Sequence, residues 1–247
     1  MKVLLLAGTG DARRIAEGLQ ALEVEAIASL AGATRQPKKL ACETRIGGFG
    51  GAQGFRSYLH DAGIQAVVDA THPYAVTMAN RAAEICRAAQ VPHLRVLRPA
   101  WQPVPGDLWT EVANEADVAA HVAEKANVFL ATGRQTLAGF ANLTGRRLYC
   151  RQIDPPEQPF PFANGEFLIG RPPFSVEDEI TLFRRLQIDV LVVKNSGGQA
   201  SRTKLDAARH LGIRVLLIRR PNPPDCQIAE TVSGALDWVR AQAAAHG

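Results

Sequence analysis

A chain of 247 residues exceeds the usual size of one domain and has room for two α/β domains of roughly 100 to 130 residues each. With 47% apolar and 21% charged residues, disorder is excluded as the state of the whole chain. The formal net charge is only +4, assembled from twenty-two arginines against six lysines. Because the guanidinium fork suits carboxylate and phosphate, this bias fits an anionic small molecule; the alternative source is a GC-rich coding sequence. Scattered basic residues and few aromatics argue against a nucleic-acid partner. No apolar run approaches the ~18 residues of a membrane span, and residues 3–7 are too short and wrongly flanked for a signal peptide, so a cytoplasmic protein is expected. The four cysteines, Cys42, Cys86, Cys150 and Cys226, show no metal-ligand spacing and are expected to be reduced, with no metal bound.

Residues 3–7 read as a buried parallel strand and 11–22 as an amphipathic helix with Ile15, Ala16 and Leu19 on one face. The turn between them, Gly8-Thr9-Gly10-Asp11, lets backbone N–H groups at a helix start approach a pyrophosphate. It departs from G-x-G-x-x-G because position 13 is Arg, so Arg13 or Arg14 either adds charge for the phosphates or lies on a solvated helix face. NAD-binding folds place an acid ~20 residues later on the ribose. Residues 28–35 contain none, and Arg35, Lys38 and Lys39 follow, which suits a 2′-phosphate and favours NADPH, with Arg35 as its partner.

A short strand at 43–46 ends in Gly47-Gly48-Phe49-Gly50-Gly51, which either admits a cofactor closely or forms a tight turn. A buried run at 66–69 then delivers Thr71-His72-Pro73-Tyr74 to the carboxyl edge of the sheet, where ligands of open α/β folds bind. Pro73 keeps His72 out of the helical region and so fixes a loop there. His72 either serves chemistry, orienting a nicotinamide or moving a proton, or caps the next helix with Tyr74. Residues 92–97 form another strand, and the Pro-rich 101–107 is the expected linker.

The second half repeats this grammar. Strand 128–131 leads into Thr132-Gly133-Arg134, and strand 190–193 into Lys194-Asn195-Ser196-Gly197-Gly198. A helix through Ala207 and Leu211 and a strand at 214–218 follow, and the chain ends in a helix at 232–245. Arg134 and Lys194 can neutralise anionic groups and Ser196-Gly197-Gly198 can form an anion-binding nest, or the loop is only a flexible lead into a helix. Two Rossmann-like parallel-sheet α/β domains are expected, 1–100 for the cofactor and 107–247 for the substrate, with the active site in the cleft between them.

Taken in order, Gly8-Thr9-Gly10-Asp11-Ala12-Arg13, Asp69-Ala70-Thr71-His72-Pro73-Tyr74-Ala75, Thr132-Gly133-Arg134 and Lys194-Asn195-Ser196-Gly197-Gly198 resemble the precorrin-6A reductase family of cobalamin biosynthesis. The resemblance runs over essentially the whole chain. It implies NADPH-dependent reduction of one carbon–carbon double bond, C18=C19, of the metal-free macrocycle precorrin-6A, giving precorrin-6B. The residue readings above make Gly8, Thr9, Gly10, Asp11, Arg13, Arg35, Gly47, Gly48 and Thr71 the expected cofactor contacts of such an enzyme. Arg134 and residues 194–198 take the substrate, and His72, Tyr74 or water supplies the proton. These motifs do not separate the metal-free substrate from its cobalt-containing counterpart. A two-domain tetrapyrrole enzyme without a cofactor, similar to uroporphyrinogen III synthase, is the non-redox alternative. A short-chain dehydrogenase is excluded, since Tyr58, Tyr74 and Tyr149 have Ala62, Met78 and Ile153 where a lysine is needed.

Overall fold

The computed structural model describes residues 1–32 and 39–246. The chain forms two compact units, one of Met1–Pro99 with Pro221–Gly247 and the other of Ala100–Arg220. In the first, strands β1 (Lys2–Leu6), β2 (Glu25–Leu30), β3 (Glu43–Ile46), β4 (Ala66–Asp69), β5 (His93–Val96) and β12 (Gln227–Ala229) make one parallel sheet, ordered β12-β5-β4-β1-β2-β3. Both faces of β1 are covered. Val3 and Leu5 pack with Ile15 and Leu19 of α1 (Gly10–Ala21) and with Ala235 and Val239 of α6 (Val232–His246). Leu4 and Leu6 pack with Phe55 and Leu59 of α2 (Gly51–Asp61) and Cys86 of α3 (Val76–Ala88). Two buried faces explain why these strands are continuous apolar runs instead of alternating ones.

In the second unit the parallel order is β6-β11-β10-β7-β8-β9, formed by β6 (Trp109–Val112), β7 (Asn127–Ala131), β8 (Arg147–Gln152), β9 (Gly165–Ile169), β10 (Val190–Lys194) and β11 (Arg214–Ile218). Phe129, Leu191 and Val215 lie against Phe183 of α4 (Val176–Arg185) and Leu205 and Ala208 of α5 (Thr203–Leu211). Ser175 starts α4 with a reciprocal capping box to Asp178. The duplication is real: β3-β2-β1-β4-β5 and β9-β8-β7-β10-β11 are the same order. One element is shortened in the copy. Where α1 follows β1, only a 3-10 segment, Arg134–Phe140, follows β7.

The sixth strands correct the expected domain limits. β6, which follows β5 in sequence, joins β11 in the second sheet, while β12, which follows β11, joins β5 in the first. Residues 221–247 therefore belong with the first unit, and not to a second domain running to the end of the chain. Close packing explains the return. A Cβ built at Gly18 of α1 falls 2.4 Å from Leu236 Cδ1, so the glycine opens the notch that seats α6. Gly18→Val should overfill that notch and cost about 1–3 kcal/mol, read from denaturant unfolding. An unchanged midpoint and slope would show that the notch is not what holds α6.

Candidate functional site

The chain leaves β1 towards β2 and β3, then crosses to β4 and β5, so the topological switch point of the first sheet lies between β1 and β4. Ligands of open α/β sheets bind at the carboxyl ends of strands at such points. The two expected loops, after β1 and after β4, meet there. Thr9 is the N-cap of α1, its hydroxyl accepting from Ala12 N at 3.2 Å. The same hydroxyl donates to Ala70 O at 2.8 Å and ties the loops together. Its side chain is thus committed to the protein. Gly8 sits at φ +150, and a Cβ at Gly8 or Gly10 would meet no atom within 4 Å, so the turn lies open for a close-approaching group. Arg13 Nε is buried and has no hydrogen-bond partner among the described residues.

Asp11 opens the first turn of α1, where a carboxylate would compete with a bound phosphate. Arg14 and Arg98 each approach it at 2.5 Å. Burial pushes the Asp11 pKa up, but the bonds from the two arginines outweigh it and leave the pKa below the usual carboxylate value. The charge is neutralised locally by residues of α1 and of the segment after β5. Arg98 was not singled out from the sequence, because an arginine before a proline reads as loop punctuation.

After β4, Asp69 is fully buried and paired with Arg95 of β5. Its other oxygen accepts from Thr71 N at 3.0 Å and Thr71 Oγ1 at 2.6 Å. Thr71 therefore shapes the loop with its side chain. His72 is exposed, and its Nδ1 accepts from Tyr74 N at 3.3 Å, which places the proton of the neutral ring on Nε2. The two rings are 5.6 Å apart.

Gly47 and Gly48 stand at the end of β3, where their carbonyls accept from Arg45 at 3.1 and 3.0 Å. Arg45 also donates to Ser29 Oγ of β2 at 2.7 Å and lies 4.0 Å from the Phe49 ring centroid. This clamp was missed, since a single arginine in a short strand carries no pattern. Arg35, the expected 2′-phosphate partner, lies outside the described residues.

In the second unit, Lys194 ends β10 with Nζ 3.9 Å from Glu115 Oε1. Burial lowers its pKa, partly offset by Glu115. Arg134 is exposed at the start of its 3-10 segment. The loop between Lys194 and Gly198 is bonded extensively within its own unit. Asn195 is 6% exposed; its Oδ1 accepts from Trp101 N at 2.8 Å and its Nδ2 donates to Trp101 O at 3.2 Å. Gly198 O accepts from Trp101 Nε1 at 2.9 Å, and Asn195 O from Arg220 Nε at 2.9 Å. Ser196 N turns back to Lys194 O at 2.7 Å, and Gly197 and Gly198 take positive φ of 68° and 84°. The loop is a clamp on the segments where the chain enters and leaves this unit, and it holds Trp101, the first residue of the expected linker, within the unit. Asn195→Ala would strand the buried Trp101 backbone groups, at about 1–3 kcal/mol. Urea unfolding followed by tryptophan emission measures this, and a loss below ~0.5 kcal/mol would remove Asn195 from that role.

Two open parallel sheets of one strand order, the first with a glycine turn and a histidine loop at its switch point, define a protein of two Rossmann-like α/β units. The family model described as Precorrin-6x reductase CbiJ/CobK matches residues 2–240, and the chain belongs to that family. It is 43% identical over 241 residues to the precorrin-6A reductase of Rhodococcus erythropolis, covering 96% of this chain and 97% of the relative. To that of Mycobacterium tuberculosis H37Rv it is 41% identical, with 96% and 97% covered. The cobalt-precorrin-6A reductase of Priestia megaterium is 29% identical, with 89% and 90% covered. A solved CobK precorrin-6A reductase superimposes with a TM-score of 0.94 at 38% identity, over 98% of this chain and 97% of that one. The chain is accordingly a reductase.

Proposed function

We propose that this chain reduces precorrin-6A to precorrin-6B with NADPH, in the cytoplasmic branch of cobalamin biosynthesis that uses the metal-free macrocycle. The observation that carries the cofactor half is the Thr9 to Ala70 hydrogen bond, which holds the open glycine turn beside the His72 loop at the switch point of the first sheet. The residues fit a dinucleotide. The turn has room at Gly8 and Gly10, the dipole of α1 favours a pyrophosphate, and Arg13 has a buried nitrogen without a partner among the described residues. Gly47 and Gly48 at the end of β3, with Arg45 beside them, suit the adenosine end, together with Arg35. The metal-free substrate is supported by the identities, which are higher to the relatives named for precorrin-6A than to the one named for the cobalt compound.

Bound NADPH supplies the hydride. The chain's own residues hold the acceptor carbon close, exclude water and bring a proton to the neighbouring carbon. His72 is suited to the last task because Tyr74 N fixes its tautomer with hydrogen on Nε2. Tyr74 and water are the alternative sources. Arg134 and Lys194 are placed by this reading near carboxylate arms of the substrate.

Titration with NADPH and NADH tests the cofactor. NADPH should bind about 10- to 100-fold tighter, the worth of a charge-assisted contact to the 2′-phosphate, and Arg35→Ala should shrink the gap. Equal affinities would reject NADPH as the specific reductant. In turnover with precorrin-6A, His72→Ala should lower kcat by about 100-fold or more where chemistry is rate-limiting. Wild-type kcat in that variant would make His72 structural and pass the proton to Tyr74 or solvent.

A further inference from the structure

A cavity of about 180 Å³ lies wholly within the second unit, at the carboxyl ends of β7 and β8 and beside the start of α5. Ala131, Gln152, Ile153, Phe174, Ser201 and Lys204 are among the residues that line it. Two of its polar groups bear on what it could hold, an amide without a partner among the described residues and a buried ammonium. Gln152 is 8% exposed, and both Oε1 and Nε2 are buried without a hydrogen-bond partner among the described residues. Buried amides in folded proteins are normally paired, so this one stands ready for something the protein itself does not supply. Lys204 holds its Nζ 2.5 Å from Ser201 O and 5.7 Å from the Trp101 ring centroid. Burial pushes its pKa down to about 8, with Glu179 raising it and Arg151 lowering it by smaller amounts.

The remaining charges in the cavity cancel. Arg151 of β8 donates from both terminal nitrogens to the two oxygens of Glu179 of α4, each at 2.6 Å. The guanidinium is also packed 4.8 Å from the Phe129 ring centroid and 4.3 Å from that of Phe174. That pair is complete within itself, so the net charge offered to an occupant is the Lys204 ammonium. A small apolar-walled space with one uncompensated cation and one idle amide selects an anion that can also donate to, or accept from, a carboxamide. Size narrows the choice. Pockets that enclose a whole drug-sized ligand hold roughly 300–1,000 Å³, so this one takes an arm of a ligand and not its ring.

We propose that the cavity is the subsite for one carboxylate arm of the tetrapyrrole, with Lys204 and Gln152 as its polar contacts. The assignment rests on the functional reading above and adds two residues to it. An arm held alike in ground and transition states contributes uniform binding, so its loss appears in KM and not in kcat.

The test is steady-state reduction of precorrin-6A by the full chain with NADPH, joined to thermal melts of the ligand-free protein. Lys204→Met should raise KM for precorrin-6A about 10- to 100-fold and Gln152→Leu about 3- to 10-fold. In both, kcat should stay within about twofold and the KM for NADPH should not move. Gln152→Leu should also raise the melting temperature, because a similar volume is filled with no amide left unpaired. A structural glutamine predicts the opposite, a lower melting temperature with unchanged KM, and that result overturns the subsite. So does an unchanged KM in Lys204→Met; should that variant not fold, Gln152→Leu decides alone. Wild-type protein that binds NADPH but leaves precorrin-6A unreduced overturns the functional reading and the subsite with it, whereas failure confined to the variants overturns the subsite alone.

Discussion

The side-chain amide of Asn195 binds both backbone groups of Trp101, and the backbone carbonyl of Asn195 accepts from Arg220. Those partners stand at the two places where the chain crosses between units, whose limits are Ala100 and Arg220. β6 and β12 each join the sheet that a simple repeat would not give them, so the chain passes twice between the units. One loop after β10 holds both. The positive φ of Gly197 and Gly198 is the backbone form that brings the Gly198 carbonyl round to the Trp101 indole. The first unit has a corresponding tie in Thr9, which spans the loops after β1 and β4. In each unit the loop polarity that reads as ligand chemistry is first used to fix the loops.

That double use marks where the sequence stops being legible. Val3 to Leu6, Ala66 to Asp69 and Val190 to Val193 announce themselves because both faces of each strand are covered, which leaves no alternation to misread. Their order along the chain suffices for two parallel sheets. The destination of the last 27 residues is invisible, because Gln227–Ala229 is three residues long and the contact of Leu236 with Gly18 of α1 carries no motif. The 194–198 loop was readable as important but not as a clamp: lysine, asparagine, serine and glycine are equally the residues of an anion nest. Gln152 and Lys204 carried no motif. Only the fold shows that one lacks a partner among the described residues and that the other is a buried cation.

The arginine excess acquires a physical account from the same geometry. Arg95 meets buried Asp69, Arg151 meets buried Glu179, Arg98 and Arg14 meet Asp11, and Arg202 and Arg209 surround Asp107. Each of these acids is mostly or wholly buried, where an unpaired carboxylate would be costly and where a guanidinium can bond two oxygens at once. Six of the twenty-two arginines are therefore engaged with these acids. What remains for an anionic ligand is better sought among cations whose charge the protein does not cancel.

Lys204 is such a cation, and its energetics differ in kind from those of the arginine pairs. Its pKa of about 8 says that burial disfavours the charged form while leaving it the main form at neutral pH. Folding stability should therefore rise with pH above about 8, where the folded lysine loses its proton and the unfolded one keeps it, up to the ordinary value of 10.5. The neighbouring Gln152 amide adds a cost of about 1–3 kcal/mol for polar atoms buried without partners. Neither group strengthens the free protein. An arrangement that weakens the fold at two adjacent positions, beside a charge pair satisfied to its last oxygen, is what a binding site looks like before its ligand arrives: the carboxylate that would stabilise the ammonium and satisfy the amide has to come from outside.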